Sequence, residues 1–149
     1  MAWVTPKTNW QIRYDESNNY IGDYFNASDF NRIKNNLGYL RELACELYPS
    51  FAIEDLGSDR VYSDFGPYAD EINTLERNLY TININTLNIE EYMEYPVYSP
   101  NELIMGVDEL NRIESATLDI YNTLNNQYSG RRMLTIKLGV PNDGFLHGM

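Results

Sequence analysis

Apolar residues recur at steps of three and four in three separate stretches of this chain, and each stretch predicts an amphipathic helix. The first stripe is Phe30, Ile33, Leu37, Leu40, Ala44 and Leu47. It predicts a helix over 27–48, capped by Asn26 with Asp29 three residues on and stopped by Pro49. Gly38 interrupts this helix at some cost in propensity and marks either a close backbone approach or an unselected exposed position. The second helix opens near Gly66 and Pro67 and runs through Ile72, Leu75 and Leu79 to Tyr80, with Ile82 left open as a further stripe position. From Tyr80 to Ile84 the pattern turns to period two, which predicts a strand or an irregular exit. The third begins at Ser99-Pro100-Asn101-Glu102, which sets a capping serine, a first-turn proline and an N3 glutamate in register. Gly106 breaks or kinks its first turns. The stripe then runs through Leu110, Ile113, Thr117, Ile120 and Leu124, and Gly130 closes the helix near Ser129.

The three helices share a phrase. Phe30-Asn31-Arg32-Ile33-Lys34, Ile72-Asn73-Thr74-Leu75-Glu76 and Leu110-Asn111-Arg112-Ile113-Glu114 each follow an acid at Asp29, Glu71 or Glu109. Repetition of this kind indicates one structural unit used several times. Asparagine is a mediocre helix former, so Asn31, Asn73 and Asn111 need a reason. Two roles are open: a hydrogen bond across a helix seam that sets register, or a local bond near a helix start.

The flanks differ. Trp10 to Tyr14 and Leu134 to Leu138 alternate apolar and polar, which predicts short N- and C-terminal strands. Isolated strands would leave backbone groups unpaired, so the two pair with each other or between subunits. The expected fold is mainly α: a three-helix amphipathic bundle with long connecting loops and these terminal β-strands. Its divisions are an aromatic arm over 1–25, a helical domain over 26–129, and a strand and tail over 130–149. The connections over 50–65 and 88–98 both exceed common bundle loop lengths, and the first is long enough to run back along a helix, so parallel and antiparallel helices both fit.

Composition narrows the function. A chain of 149 residues supports one domain with a core. Its net charge of -11 and pI near 4.4 argue against nucleic acid, which needs clustered cations to release counterions. No apolar run reaches membrane-spanning length and the first ten residues lack a secretory signal, so the chain is expected to be made in the cytosol. The single cysteine, Cys45, is expected to be an ordinary helix residue.

Little chemistry is visible. The lone histidine, His147, leaves nucleophilic triads and multi-histidine metal sites without parts. Asp55, Asp59 and Asp64 share a loop but lack the spacing of a calcium loop. Glu90, Glu91 and Glu94 beside Tyr92 and Tyr95 could in principle form a cell-wall hydrolase's acid pair, but the separation such a pair needs is not a sequence property. No catalytic residue, metal ligand or cofactor is therefore assigned. Thirteen tyrosines are many for this length, and several fall outside the stripes, among them Tyr24, Tyr92, Tyr95 and Tyr98. Tyrosine concentrates at protein interfaces and glycan platforms, and it also covers bundle edges.

Trp3-Val4-Thr5-Pro6-Lys7-Thr8-Asn9-Trp10, and Gly22-Asp23-Tyr24-Phe25-Asn26-Ala27-Ser28-Asp29-Phe30-Asn31-Arg32 with the four residues after it, resemble the opening of short virion proteins of tailed bacteriophages and prophages of Gram-positive bacteria. Tyr68-Ala69-Asp70-Glu71-Ile72-Asn73-Thr74-Leu75-Glu76, with Arg77-Asn78-Leu79 after it, is similar to the phrase that follows there, so the resemblance covers roughly the first eighty residues, with a weaker echo around Asp108 to Glu114. It implies a tail, baseplate or fibre-associated adaptor or connector, resident in the virion and assembled in the host cytoplasm, and it brings no catalytic residues. By analogy with tail symmetry the partners are other virion proteins and copies of the chain itself, as a trimer or hexamer. Trp3, Trp10, Tyr24, Asn31, Asn73 and Asn111 are the candidate assembly residues. Tyr92 and Tyr95 are candidates for binding a glycan or cell surface.

Overall fold

The structure, a computed structural model, describes residues 3–61, 69–100 and 106–137, the last six of these by backbone only. Three helices form the core: α1 (Ala27–Leu47), α2 (Ala69–Ile84) and α3 (Val107–Lys137). A 3-10 turn, Glu90–Tyr92, lies between α2 and α3.

α1 forms as its sequence dictates. The Asn26 side chain accepts from the amides of Ser28 and Asp29, and the Asp29 carboxylate returns to the Asn26 amide. α2 runs on to Ile84 because Ile82, fully buried, completes the stripe of Ile72, Leu75 and Leu79; the helical period outweighs the short alternation read over 80–84. The Gly66-Pro67 start signal lies outside the described residues. α3 starts later than its capping phrase: Ser99 and Pro100 precede it, Asn101 and Glu102 lie outside the described residues, and the Leu110 amide donating to the Gly106 carbonyl sets the first turn. Gly106 thus precedes the helix instead of kinking it.

Two expectations for the flanks are corrected. Gly130 does not end α3, which continues to Lys137, so 134–137 is helix where a strand was expected; Leu138 lies outside the described residues. A helix satisfies its own backbone, whereas a lone strand there would have no partner. Arg131, one residue past the glycine, bonds the Glu46 carbonyl at the end of α1. At the other end, Trp10 to Tyr14 forms no strand. Among the described residues there is no sheet, and the one bridge joins Tyr14 to Tyr20 within a loop.

The three stripes meet in one core of Phe30, Ile33, Leu37 and Leu40 from α1, Ile72, Leu75 and Ile82 from α2, and Ile113, Ile120 and Leu124 from α3. Thr117, the polar member of the third stripe, is buried because its hydroxyl donates to the Glu114 carbonyl one turn back. The helices run parallel. Arg32 near the start of α1 pairs with Glu114 near the start of α3, Arg112 pairs with Glu76 near the start of α2, and Tyr48 just past the end of α1 reaches Gln127 of α3. Parallel helices require each connection to travel the length of the bundle, which is what the long loops do.

Candidate functional site

Each repeated asparagine clamps the main chain of an extended segment. Asn31 donates from Nδ2 to the Arg60 carbonyl and accepts from the Arg60 amide, both at 2.8 Å. Asn73 makes the same pair with Tyr98, both at 2.8 Å. Asn111 makes it with Trp10, at 3.1 and 2.8 Å. Neither the seam bond nor the local bond considered for these residues is what forms. A second set sits five residues further along: Asn36 clamps Val4, and Asn78 clamps Glu54. In α3 that position is Ala116, and the segment is held there by the Tyr92 hydroxyl donating to Asp119.

These bonds define three equivalent units. The segments 4–10, 54–60 and 92–98 each rest at one end on the helix that follows them and at the other on the helix before, with α3 standing before the first. The ring of helices is thereby closed. The acids and arginines of the repeat follow the same order. Arg32 of α1 donates to Glu114 of α3, and Arg112 of α3 donates to Glu76 of α2. Both glutamates are almost fully buried, and such burial is tolerated only where a carboxylate is multiply bonded. Glu114 meets this condition by also accepting from the Trp10 indole and the Lys7 amide. At the third junction Thr74 and Lys34 replace the arginine and glutamate, and Lys34 turns to Gly57 and Asp59 instead.

Most predicted interface residues therefore have partners inside the protomer. Trp10 is buried in the core, and Trp3 stacks on Tyr121 with centroids 3.9 Å apart. Tyr92 is buried and offers no open face to a sugar, while Tyr95 packs on Tyr80. Glu90, Glu91 and Glu94 are exposed. Tyr24 is different: it is 68% exposed and lies edge to face with Tyr20, which in turn meets Tyr14. Ile12, Tyr14 and Ile21 are also more than half exposed. These side chains belong to the loop over 11–25, which is longer by eight residues than the matching connections, since Trp10 precedes its helix's asparagine by 21 positions and Arg60 and Tyr98 precede theirs by 13.

That loop is built to hold its shape. The amides of Ile21 and Asp23 donate to the carbonyls of Arg13 and Gln11, the Tyr20 hydroxyl donates to the Asp23 carbonyl, and Asp15 accepts from the amides of Ser17 and Asn19. Gly22 is required there, since a Cβ would stand 2.6 Å from the Gln11 carbonyl oxygen. Sequence reasoning singled out Tyr24 but missed Ile12 and Ile21, and it missed Asn36 and Asn78. The second pair carried a signal in the five-residue spacing common to α1 and α2.

Two phenols report on the interior. Burial, then the nearby carboxylates of Glu76 and Glu109, pushes Tyr98 up to about 12, and burial followed by the bond to Asp119 raises Tyr92 as well. An unfolded phenol titrates near 10.0, so above that pH the unfolded chain releases protons that the folded chain retains. The stability these groups contribute is intact below pH 10 and falls as pH rises toward 12. Phenolate absorbance followed alongside helical circular dichroism should show Tyr92 and Tyr98 ionising together with loss of helix; their ionisation within an intact fold would contradict this.

Among the described residues no group of three or more histidine, cysteine or acidic side chains is placed to hold a metal, and no helix is long and apolar enough to cross a membrane. Comparison with protein-family models, with curated proteins and with solved structures finds no match.

Proposed function

We propose that this chain is a bacteriophage virion structural protein, an adaptor or connector of the tail, baseplate or fibre that acts through protein–protein assembly. The observation that carries this is the loop over 11–25. A rigid, glycine-dependent ribbon that holds Ile12, Tyr14, Ile21 and Tyr24 outward contributes little to its own core, and such aromatic-rich exposed patches are suited to association. The resemblance of the N-terminal residues to short virion proteins supplies the context. The helical stripes are occupied within the protomer, so self-association into a trimer or hexamer falls to this loop.

Light scattering coupled to size exclusion tests the proposal. An oligomer is expected at micromolar concentration, and the double substitution Tyr14→Ser with Tyr24→Ser should dissociate it while leaving the helical spectrum unchanged. A strictly monomeric parent protein would count against it. Electron microscopy of a particle carrying the chain would then separate tail, collar and capsid positions.

A further inference from the structure

The equivalence of the three units exposes a groove that the chain leaves open. Seven residues beyond the repeated asparagines stand Gly38, Tyr80 and Leu118, and at the middle of the three clamped segments stand Lys7, Gly57 and Tyr95. Between α2 and its segment, Tyr80 and Tyr95 meet ring to ring with centroids 5.4 Å apart. At the matching place on α1 both rings are missing. Gly38 and Gly57 instead line a cleft of about 340 Å³, with Ala52, Ile53 and Leu56 on its apolar side. The surrounding frame is retained: Arg41 Nε donates to the Phe51 carbonyl where Asn83 Nδ2 donates to the Ile89 carbonyl in the sister groove. Gly57 has φ of 80°, so its own backbone calls for glycine. Gly38 lies inside α1, where glycine costs about 1 kcal/mol relative to alanine and no turn requires it.

We propose that this cleft binds the phenol ring of a tyrosine presented, with basic neighbours, by a partner polypeptide. The sister groove shows that phenol rings fit at this place between helix and segment, although its wall is of glutamates where this one is apolar. Charge sets its surroundings: Glu42 and Asp55 stand exposed around the cleft, Glu54 is paired with Arg77 and Lys34 with Asp59, and Arg41, turned to the Phe51 carbonyl, leaves the acids in excess by one. A second copy of this chain is a poor occupant, because the loop that carries its exposed Tyr14 and Tyr24 sets Asp15, Glu16 and Asp23 against the single Arg13 and would bring a net acidic surface against an acidic rim. The site does not depend on the virion reading; it follows from the repeat and the cleft alone.

The test is titration of isotope-labelled full-length protein with the capped tripeptides Lys-Tyr-Lys and Glu-Tyr-Glu, followed by amide chemical shifts. The basic peptide should give saturable shifts at Gly38, Leu56 and Gly57, and the acidic one should bind a few-fold more weakly, the scale of screened surface ion pairs. Gly38→Tyr should fill the cleft from within, abolish the shifts and raise the thermal midpoint. Glu42→Lys, on the exposed rim, should narrow the difference between the peptides without disturbing the fold. Absence of shifts at millimolar peptide, persistence in Gly38→Tyr, or tighter binding of the acidic peptide would overturn the proposal. So would 4-methylphenol binding as well as the basic peptide, which would make this a small-molecule site, or a concentration-dependent dimer lost in Gly38→Tyr, which would give the cleft to a second copy.

Discussion

Replacing Glu114 by alanine should lower the stability of the fold by about 3 kcal/mol, the low end for breaking a buried pair, because the Arg32 guanidinium loses two bonds there and keeps Asp29 as its remaining counter-charge. Arg32 gives Glu114 two hydrogen bonds, at 2.7 and 2.9 Å, and its own side chain is only 15% exposed. The Trp10 indole and the Lys7 amide lose their acceptor in the same substitution. Glu114→Gln keeps the shape and part of the bonding, so its cost should fall between that of alanine and zero. The comparison that isolates burial is Glu54→Ala. Glu54 is bonded twice by Arg77 with similar geometry, yet both side chains are about half exposed, and pairs of that kind contribute about 0–1 kcal/mol. Urea unfolding should therefore separate the two alanine variants by about 2 kcal/mol or more. Equal losses would mean that the buried junction is no more than a surface pair.

The contrast between these two arginine–glutamate pairs also marks what could be read from the chain beforehand. The apolar stripes are local properties, and Phe30, Ile33, Leu37 and Leu40 in α1, or Ile113, Ile120 and Leu124 in α3, are buried where their spacing places them. The repeated asparagines were visible as a pattern, but their partners were not. Each clamps backbone 25 to 101 residues away, and a carbonyl or amide in an extended segment carries no residue-type signal. The burial of Glu76 and Glu114 was hidden for a related reason, since carboxylates are normally exposed and only the arrival of Arg112 or Arg32 from a neighbouring helix makes them tolerable. Alternation over four or five residues misled at both ends. At 134–137 the backbone is helical, and at Trp10 it pairs with an asparagine side chain in place of a strand. The tyrosines divided by tertiary context: Tyr92 turned inward to Asp119, and Tyr24 stayed out. The open cleft became visible only once Gly57 could be matched to Tyr95, and that match rests on the clamps.

The clamps themselves should not be interchangeable, although their geometry is. Alanine at Asn31, Asn73 or Asn111 deprives one backbone amide and one carbonyl of their partners, a loss of about 2 kcal/mol at half-buried positions. The segments 54–60 and 92–98 are tied at both ends, each joining two helices of the core, so Asn31→Ala and Asn73→Ala should lower global stability with no separate local event. Among the described residues the segment 4–10 is joined by the chain to α1 alone, and its hold on the bundle's α3 side rests on Asn111, Glu114, the stack of Trp3 on Tyr121 and the seating of Trp10 in the core. Asn111→Ala should therefore free this arm while the helices remain folded. The expected signature is early hydrogen exchange at the Trp10 amide and a red shift of tryptophan emission at denaturant concentrations where circular dichroism is still native. Fluorescence and helix content that change together in Asn111→Ala, as they should in Asn73→Ala, would show instead that the ring of three units opens only when the whole core unfolds.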